Sequence, residues 1–216
     1  MNILLVGKTG SGKRSTGNTL LQQQIFPVER SFFRKFIHNF PSVGKTSLNN
    51  QDIFIYDTPG LLDTAFNDRQ SLINTFEDSE MVLKRCRGGL HAFLIVISAS
   101  GRFTNEDGTV LKYLKTIFGS QELIDRGVLV FTHGETLRMS LKDWCNGQRE
   151  ELKLKDIFNE FSNRAVLISN EQDCERYRVE LLQKVKSVTT PYKLEDFNKY
   201  SKDREQLLPN KYCSYL

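Results

Sequence analysis

The chain has 216 residues, 39% of them hydrophobic and 26% charged, with a net charge of +4 and a pI near 8.8. That length fits one domain, or one domain with a short appendage, and buries a sizeable core without staples. The small basic excess gives no case for nucleic acid as a partner, and no apolar run reaches the ~18 residues of a membrane-spanning helix. The four cysteines contain no C-x-x-C pair and the three histidines no H-E-x-x-H cluster, which argues against structural zinc. With Gly7-Lys8 interrupting the first apolar run there is no secretory leader pattern, so a cytoplasmic, reducing setting is expected.

In chain order, Asn2-Ile3-Leu4-Leu5-Val6 is continuously apolar, the mark of a strand covered on both faces. A glycine cluster follows, then a helix over 13–23. Residues 24–50 read as a long loop with one edge strand. Ile53-Phe54-Ile55-Tyr56 is a strand closed by Asp57-Thr58-Pro59-Gly60, and a polar helix covers 69–87. Ala92-Phe93-Leu94-Ile95-Val96-Ile97 is the strongest strand signal. After Thr104, an N-cap residue type, Val110, Leu111, Leu114, Ile117 and Phe118 recur at helical spacing until Gly119. Then come a strand at 128–131, a helix over 148–162 with Trp144 in the loop before it, a strand at 165–168 and a helix over 172–188. On this last helix Val179, Leu182, Val185 and Val188 share a face. Alternating strands and helices imply an α/β fold with a mostly parallel sheet and helices on both faces. Residues 1–190 make the main domain. Residues 191–216, more polar, are an extra helix and a loose tail.

Gly7-Lys8-Thr9-Gly10-Ser11-Gly12-Lys13 fits G-x-x-x-x-G-K directly after a buried strand and at the start of a helix. In that context loop amides and the helix N-terminus converge on phosphate oxygens, and Lys13 reaches the β- and γ-phosphates. The similar Gly44-Lys45-Thr46 is a decoy, because Asn39 stands where the first glycine belongs. The full pattern has Ser or Thr after the lysine as a magnesium ligand, and here Arg14 stands there. Ser15 and Thr16 project about 100° and 200° further round the helix, so neither simply substitutes. Asp57, at the end of a strand, is the metal candidate through water, and the Gly60 amide is placed for a γ-phosphate.

These blocks, with Ser15-Thr16-Gly17-Asn18-Thr19 and the continuation Leu61-Leu62-Asp63-Thr64, resemble the immunity-associated nucleotide-binding GTPases, the GIMAP or IAN family with its avirulence-induced-gene type of G domain. The stretch from Gly89 to Asp107 is similar to that family's own box, and Phe131-Thr132-His133-Gly134-Glu135 to its base-recognition motif. The resemblance implies a P-loop G domain, GTP and GDP as ligands, and nucleotide-dependent self-association as a homodimer or larger oligomer. With it, Gly10, Ser11, Gly12, Lys13 and Ser15 are expected to cradle the phosphates, and the Arg14 guanidinium, a departure from the pattern, to stand beside the β- and γ-oxygens in the metal's place. Glu135 would take the guanine donors, His133 lie flat on the base, and Asn170 make a second base contact. Glu135 stands where the family more often has Asp.

The 36–40 segment offers no switch hydroxyl and Arg14 takes the metal-ligand position, which together weaken the magnesium site. Leu61 in place of a glutamine is general in the family and not diagnostic. The leading expectation is a GTP-dependent switch or scaffold with weak or absent hydrolysis. The alternatives are a GTPase completed by a partner subunit in trans and an ATP-using P-loop enzyme. With Arg14 at the ligand position, Mg2+ is a doubtful companion of the nucleotide. The C-terminal Cys213-Ser214-Tyr215-Leu216 formally fits a prenylation signal, a weak route to peripheral membrane attachment.

Overall fold

The first strand, β1 (Asn2–Val6), has all five residues buried, as a continuous apolar run requires. The computed structural model describes residues 1–27, 42–58, 69–149, 153–161, 164–169, 174–188 and 190–208. Residues 28–41 of the expected loop, Gly60 to Thr64, Asn170 and Cys213 lie outside them. β1 runs parallel to β3 (Gln51–Asp57) on one side and β4 (Ala92–Ser98) on the other. β5 (Gly127–Thr132) and β6 (Ala165–Leu167) continue the parallel arrangement. β2 (Ser42–Leu48) pairs antiparallel with β3 and forms the opposite edge, giving the order β2-β3-β1-β4-β5-β6. The Gly44-Lys45-Thr46 decoy lies within this edge strand, away from any phosphate-type turn.

Successive side chains on a strand point to opposite faces, so each central strand feeds two cores. Ile3, Leu5, Leu94, Val96, Val128 and Val130 pack with Leu20 and Leu21 of α1 (Lys13–Leu21) and with Leu181, Leu182 and Val185 of α7 (Cys174–Lys186). Leu4, Val6, Phe93, Ile95, Leu129 and Phe131 pack on the other face against α2 (Arg69–Arg85) and α3 (Asn105–Phe118). Thr104 caps α3 as its residue type suggests. Its hydroxyl accepts from the Asp107 amide, while the Asp107 carboxylate accepts from the Thr104 amide.

Three expectations need correction. Gly119 ends α3, but the chain turns there and continues as α4 (Ser120–Arg126), which has too few apolar positions to show a period. Trp144 is not in a loop. It sits in the short helix α5 (Leu141–Asn146), 8% exposed and edge-on to Phe131, ahead of α6 (Leu154–Glu160). On α7 the buried face is Arg178, Leu181, Leu182 and Val185, and Val179 is exposed. Arg178 defeats the apolar count. Buried itself, it donates to Leu20 O, the Gln22 side-chain oxygen and Ser47 O, tying α7 to the end of α1 and to β2.

Through Leu208 the C-terminal segment forms two helices, α8 (Leu194–Lys199) and α9 (Ser201–Leu207). Tyr192 anchors them. Its backbone exchanges two hydrogen bonds with Leu90, its hydroxyl donates to Phe118 O at 2.9 Å, and its ring stands edge-on to Phe93. The Arg204 guanidinium stacks 3.6 Å from the centre of the Phe197 ring and donates to Ile117 O and Phe197 O. Gly119, at φ +87°, has the Tyr200 ring where a Cβ would go, at 2.2 Å. Gly119→Ala is therefore expected to cost about 3 kcal/mol, part from the backbone angle and part from the clash. In a urea-unfolding cycle with Tyr200→Ala, the clash should appear as a coupling of about 1 kcal/mol or more, whereas strictly additive losses would contradict this docking.

Candidate nucleotide-binding site

The parallel strands bring their C-terminal ends to one edge of the sheet, and β1 hands over there to the Gly7–Gly12 turn. Asp57 stands opposite Leu5 in the β3–β1 register, and Thr132 opposite Ser98 in β4–β5. The turn is possible only with glycine at its two closest approaches. At Gly7 (φ +142°) a Cβ would lie 2.3 Å from Val96 O, and at Gly12 (φ +94°) 2.9 Å from the Thr132 methyl. Inside the turn the Lys13 ammonium donates to Gly7 O and Lys8 O, both at 2.9 Å, and the Ser11 amide donates to Lys8 O. The Thr132 hydroxyl donates to Ser11 O at 2.8 Å, fixing the turn to the end of β5. Lys8 is ion-paired with Glu106 at the start of α3.

Helix α1 starts at Lys13 with no side-chain cap and no acidic residue in its first turn, so its N-terminal amides and partial positive charge face the turn. Ser11 Oγ is buried without a hydrogen-bond partner among the described residues. Gly10, Ser11, Gly12 and Lys13 thus lie together on one concave backbone, with Arg14 and Ser15 on the first helical turn. Such an arrangement can hold an anion of the phosphate kind through backbone donors and one ammonium.

Asp57 is 4% exposed, and its Oδ2 accepts from Arg14 Nε at 3.3 Å. Arg14 Nη1 also donates to Pro27 O at 3.3 Å. The other carboxylate oxygen, Oδ1, is buried and has no partner among the described residues. A magnesium ion bound in the manner of the full loop pattern does not fit these residues. The direct-ligand position carries a guanidinium with no lone pair, and the same guanidinium sits on the carboxylate. Thr16 offers no substitute, since its fully buried hydroxyl donates back to Gly12 O.

At the other end, His133 follows β5 in a left-handed conformation (φ +61°), and the Gly134 amide donates to Ile168 O just past β6. That bond turns the Gly134–Thr136 segment toward the end of β6. His133 Nδ1 lies 3.3 Å from Glu135 Oε1. Burial acts on the Glu135 carboxyl in the upward direction, but its own amide, the Ser169 hydroxyl and His133 outweigh it and hold the group below its ordinary range. Glu135 is thus ready as an ionised acceptor at neutral pH.

The described residues therefore bring together the phosphate-type turn, Arg14, Asp57, His133 and Glu135 at one sheet edge. Sequence reasoning missed two supports of that edge, the Thr132 hydroxyl and Glu106. Both lie inside blocks the sequence singles out, but their partners are 121 and 98 residues away.

Burial is the largest influence on Asp57 and pushes its carboxyl above the ordinary range, while Lys13 and Arg14 pull it down without cancelling the effect. A carboxyl that holds its proton more tightly in the folded state removes stability as pH rises from its unfolded value through its raised native one. Nucleotide-free Asp57→Asn should therefore be more stable than the native chain at pH 7, with the gap closing below about pH 4. Urea unfolding at the two pH values checks this, and an Asn variant that is less stable at pH 7 contradicts it.

Comparison with known proteins agrees with this architecture. Immune-associated nucleotide-binding protein 7 of Arabidopsis thaliana is 33% identical over 192 residues, which is 87% of this chain and 59% of that protein. The chain spans about half the length of the curated relatives it matches. Among solved structures, Toc33 from Arabidopsis thaliana in complex with GDP and Mg2+ superposes with a TM-score of 0.65 at 19% identity, covering 90% of this chain and 87% of that one. A second structure, from work on the importance of dimerization for the GTPase activity of the chloroplast translocon components atToc33 and psToc159, gives a TM-score of 0.62 at 22% identity, covering 87% and 82%. At these identities the likeness speaks for the fold, which is that of P-loop G domains. The AIG1 family model matches residues 1–211, and with the phosphate-type turn, Asp57 and the Thr132–Glu135 turn in family order, the chain belongs to the AIG1 family.

Proposed function

We propose that this domain binds GTP and GDP and acts as a nucleotide-dependent switch or self-assembling scaffold with weak hydrolysis of its own. The observation that carries the reading is the glycine-turned loop, closed on Lys13 at the N-terminus of α1 and pinned by Thr132 to the strand that leads into His133 and Glu135. One hydrogen bond thereby connects the phosphate end to the base end.

In this reading the amides around Gly10, Ser11 and Gly12, with Ser15 on the next turn, receive phosphate oxygens, and Lys13 leaves its loop carbonyls for the β- and γ-phosphates. Glu135 accepts from the guanine N1–H and exocyclic amine, which adenine does not present in that pattern. His133 lies against the base, Asn170 adds a second base contact, and the Gly60 amide meets the γ-phosphate. The absence of a hydroxyl at 36–40 and Arg14 at the metal-ligand position support slow hydrolysis.

A partner in trans is the second reading. The link between GTPase activity and dimerization named for a structural neighbour supports it, as does the Lys8–Glu106 pair, which joins the phosphate turn to the 101–107 box. A nucleotide change at Lys8 is thereby felt at a segment on the surface beside the site.

Competition against a fluorescent guanine nucleotide tests the first claim. GTP and GDP should outcompete ATP by at least about tenfold, because an acceptor that the bound base covers and leaves unpaired costs about 1–3 kcal/mol. Glu135→Ala should bring the nucleotides close to parity, and equal competition by ATP in the native protein would remove Glu135 from base recognition. For self-association, sedimentation should show more dimer with a non-hydrolysable GTP analogue than with GDP. Identical profiles in the two states would count against the switch.

A further inference from the structure

We propose that Arg14 is the resident cation of this site, so that nucleotide binding proceeds without magnesium. The inference rests on the guanine-nucleotide reading and concerns how the phosphate charge is balanced.

In the loop pattern, the residue after the lysine gives an oxygen to a divalent ion. Arginine carries only donors and stays protonated at any working pH, so at this position it cannot ligate a metal and instead adds a charge of its own. Its placement matches that role. Arg14 Nε donates to Asp57 Oδ2 and Nη1 to Pro27 O, both at 3.3 Å. One guanidinium thus spans the end of β3 and the chain just before residue 28, the two stretches that flank the phosphate turn.

Magnesium asks for near-octahedral oxygen ligation and gives up its water reluctantly. Here it would meet a carboxylate already in contact with a cation and a first helical turn that offers a guanidinium. The hydroxyls next in sequence do not restore the ligand. Thr16 is turned inward onto Gly12 O, and Ser15 projects about 100° away from the Arg14 direction. The Arg14 side chain is 40% exposed, so it is anchored at Asp57 yet open toward the turn. From there its planar fork can make charge-assisted hydrogen bonds to β- and γ-phosphate oxygens, the charge a metal would otherwise supply.

The experiment measures affinity for fluorescent GDP and a non-hydrolysable GTP analogue in magnesium and in EDTA, and titrates Mn2+ into the GDP complex by electron paramagnetic resonance. The native protein should bind with affinities within about threefold in the two buffers and leave Mn2+ uncoordinated. Arg14→Ser should gain a metal dependence of about tenfold or more and coordinate Mn2+. Arg14→Lys should stay metal-independent with weaker binding, and it decides the matter together with the native protein if Arg14→Ser gives no cooperative melt. A native protein that loses about tenfold in EDTA or coordinates Mn2+ stoichiometrically overturns the proposal, as does a folded Arg14→Ser that remains metal-independent. Equal competition by ATP overturns the guanine reading instead and leaves the metal comparison standing for whichever nucleotide binds. No nucleotide bound in either buffer overturns both.

Discussion

A side chain at position 7 would place its Cβ 2.3 Å from the carbonyl oxygen of Val96, and the backbone angle there is one that L-residues avoid. The approach matters because β1 lies beside β4 in the middle of the sheet and must leave it at once to let α1 begin at Lys13. Without that tight exit the turn could not fold over the Lys13 ammonium, nor could Thr132 reach Ser11. The sheet order serves the same end. The ends of β3, β4 and β5 converge around one exit point, and each contributes something polar to it: Asp57, Ser98 and Thr132.

The charge balance of this edge is unusual. Two cations, Lys13 and Arg14, lie within reach of one buried carboxylate, and that carboxylate is still held above its ordinary range by desolvation. An edge with this surplus of positive charge, uncapped helix amides and the buried Ser11 Oγ is poised for an anion of high charge. The Lys13 ammonium donates to Gly7 O and Lys8 O, so burying it does not leave the charge unpaired. At the far face of the molecule Tyr192, Phe197 and Arg204 clamp the C-terminal helices onto α3, the helix that begins at the Lys8–Glu106 contact. The phosphate turn and the C-terminal segment therefore share one helix.

Much of this was legible in the sequence wherever a single strong local signal decides the outcome. β1, β4 and β5 are continuous apolar runs that only a doubly covered strand accommodates, and Thr104 announces the start of α3. The phosphate turn is legible because its glycines and lysine are close in sequence and their spacing is set by geometry. What escaped is what long-range packing decides. Arg178 is polar by type but buried because acceptors from the end of α1, its C-cap Gln22 and β2 surround it, and this rotates α7 so that Val179 faces solvent. Trp144 gave no periodic signal, since α5 is only six residues long and is held by packing on Phe131. Arg14 was visible as a departure from pattern, yet its partner Asp57 lies 43 residues away and only the sheet register brings the two together.

The central claim is that the turn at Gly7–Lys13 and the Thr132–Glu135 turn form one ligand site joined through Thr132. Backbone amide hydrogen exchange on the full chain, with and without GDP, tests it most directly. The account predicts protection appearing at both stretches together, with inorganic phosphate protecting the 7–14 amides alone. Protection confined to one stretch under saturating GDP, or none at either, would contradict it.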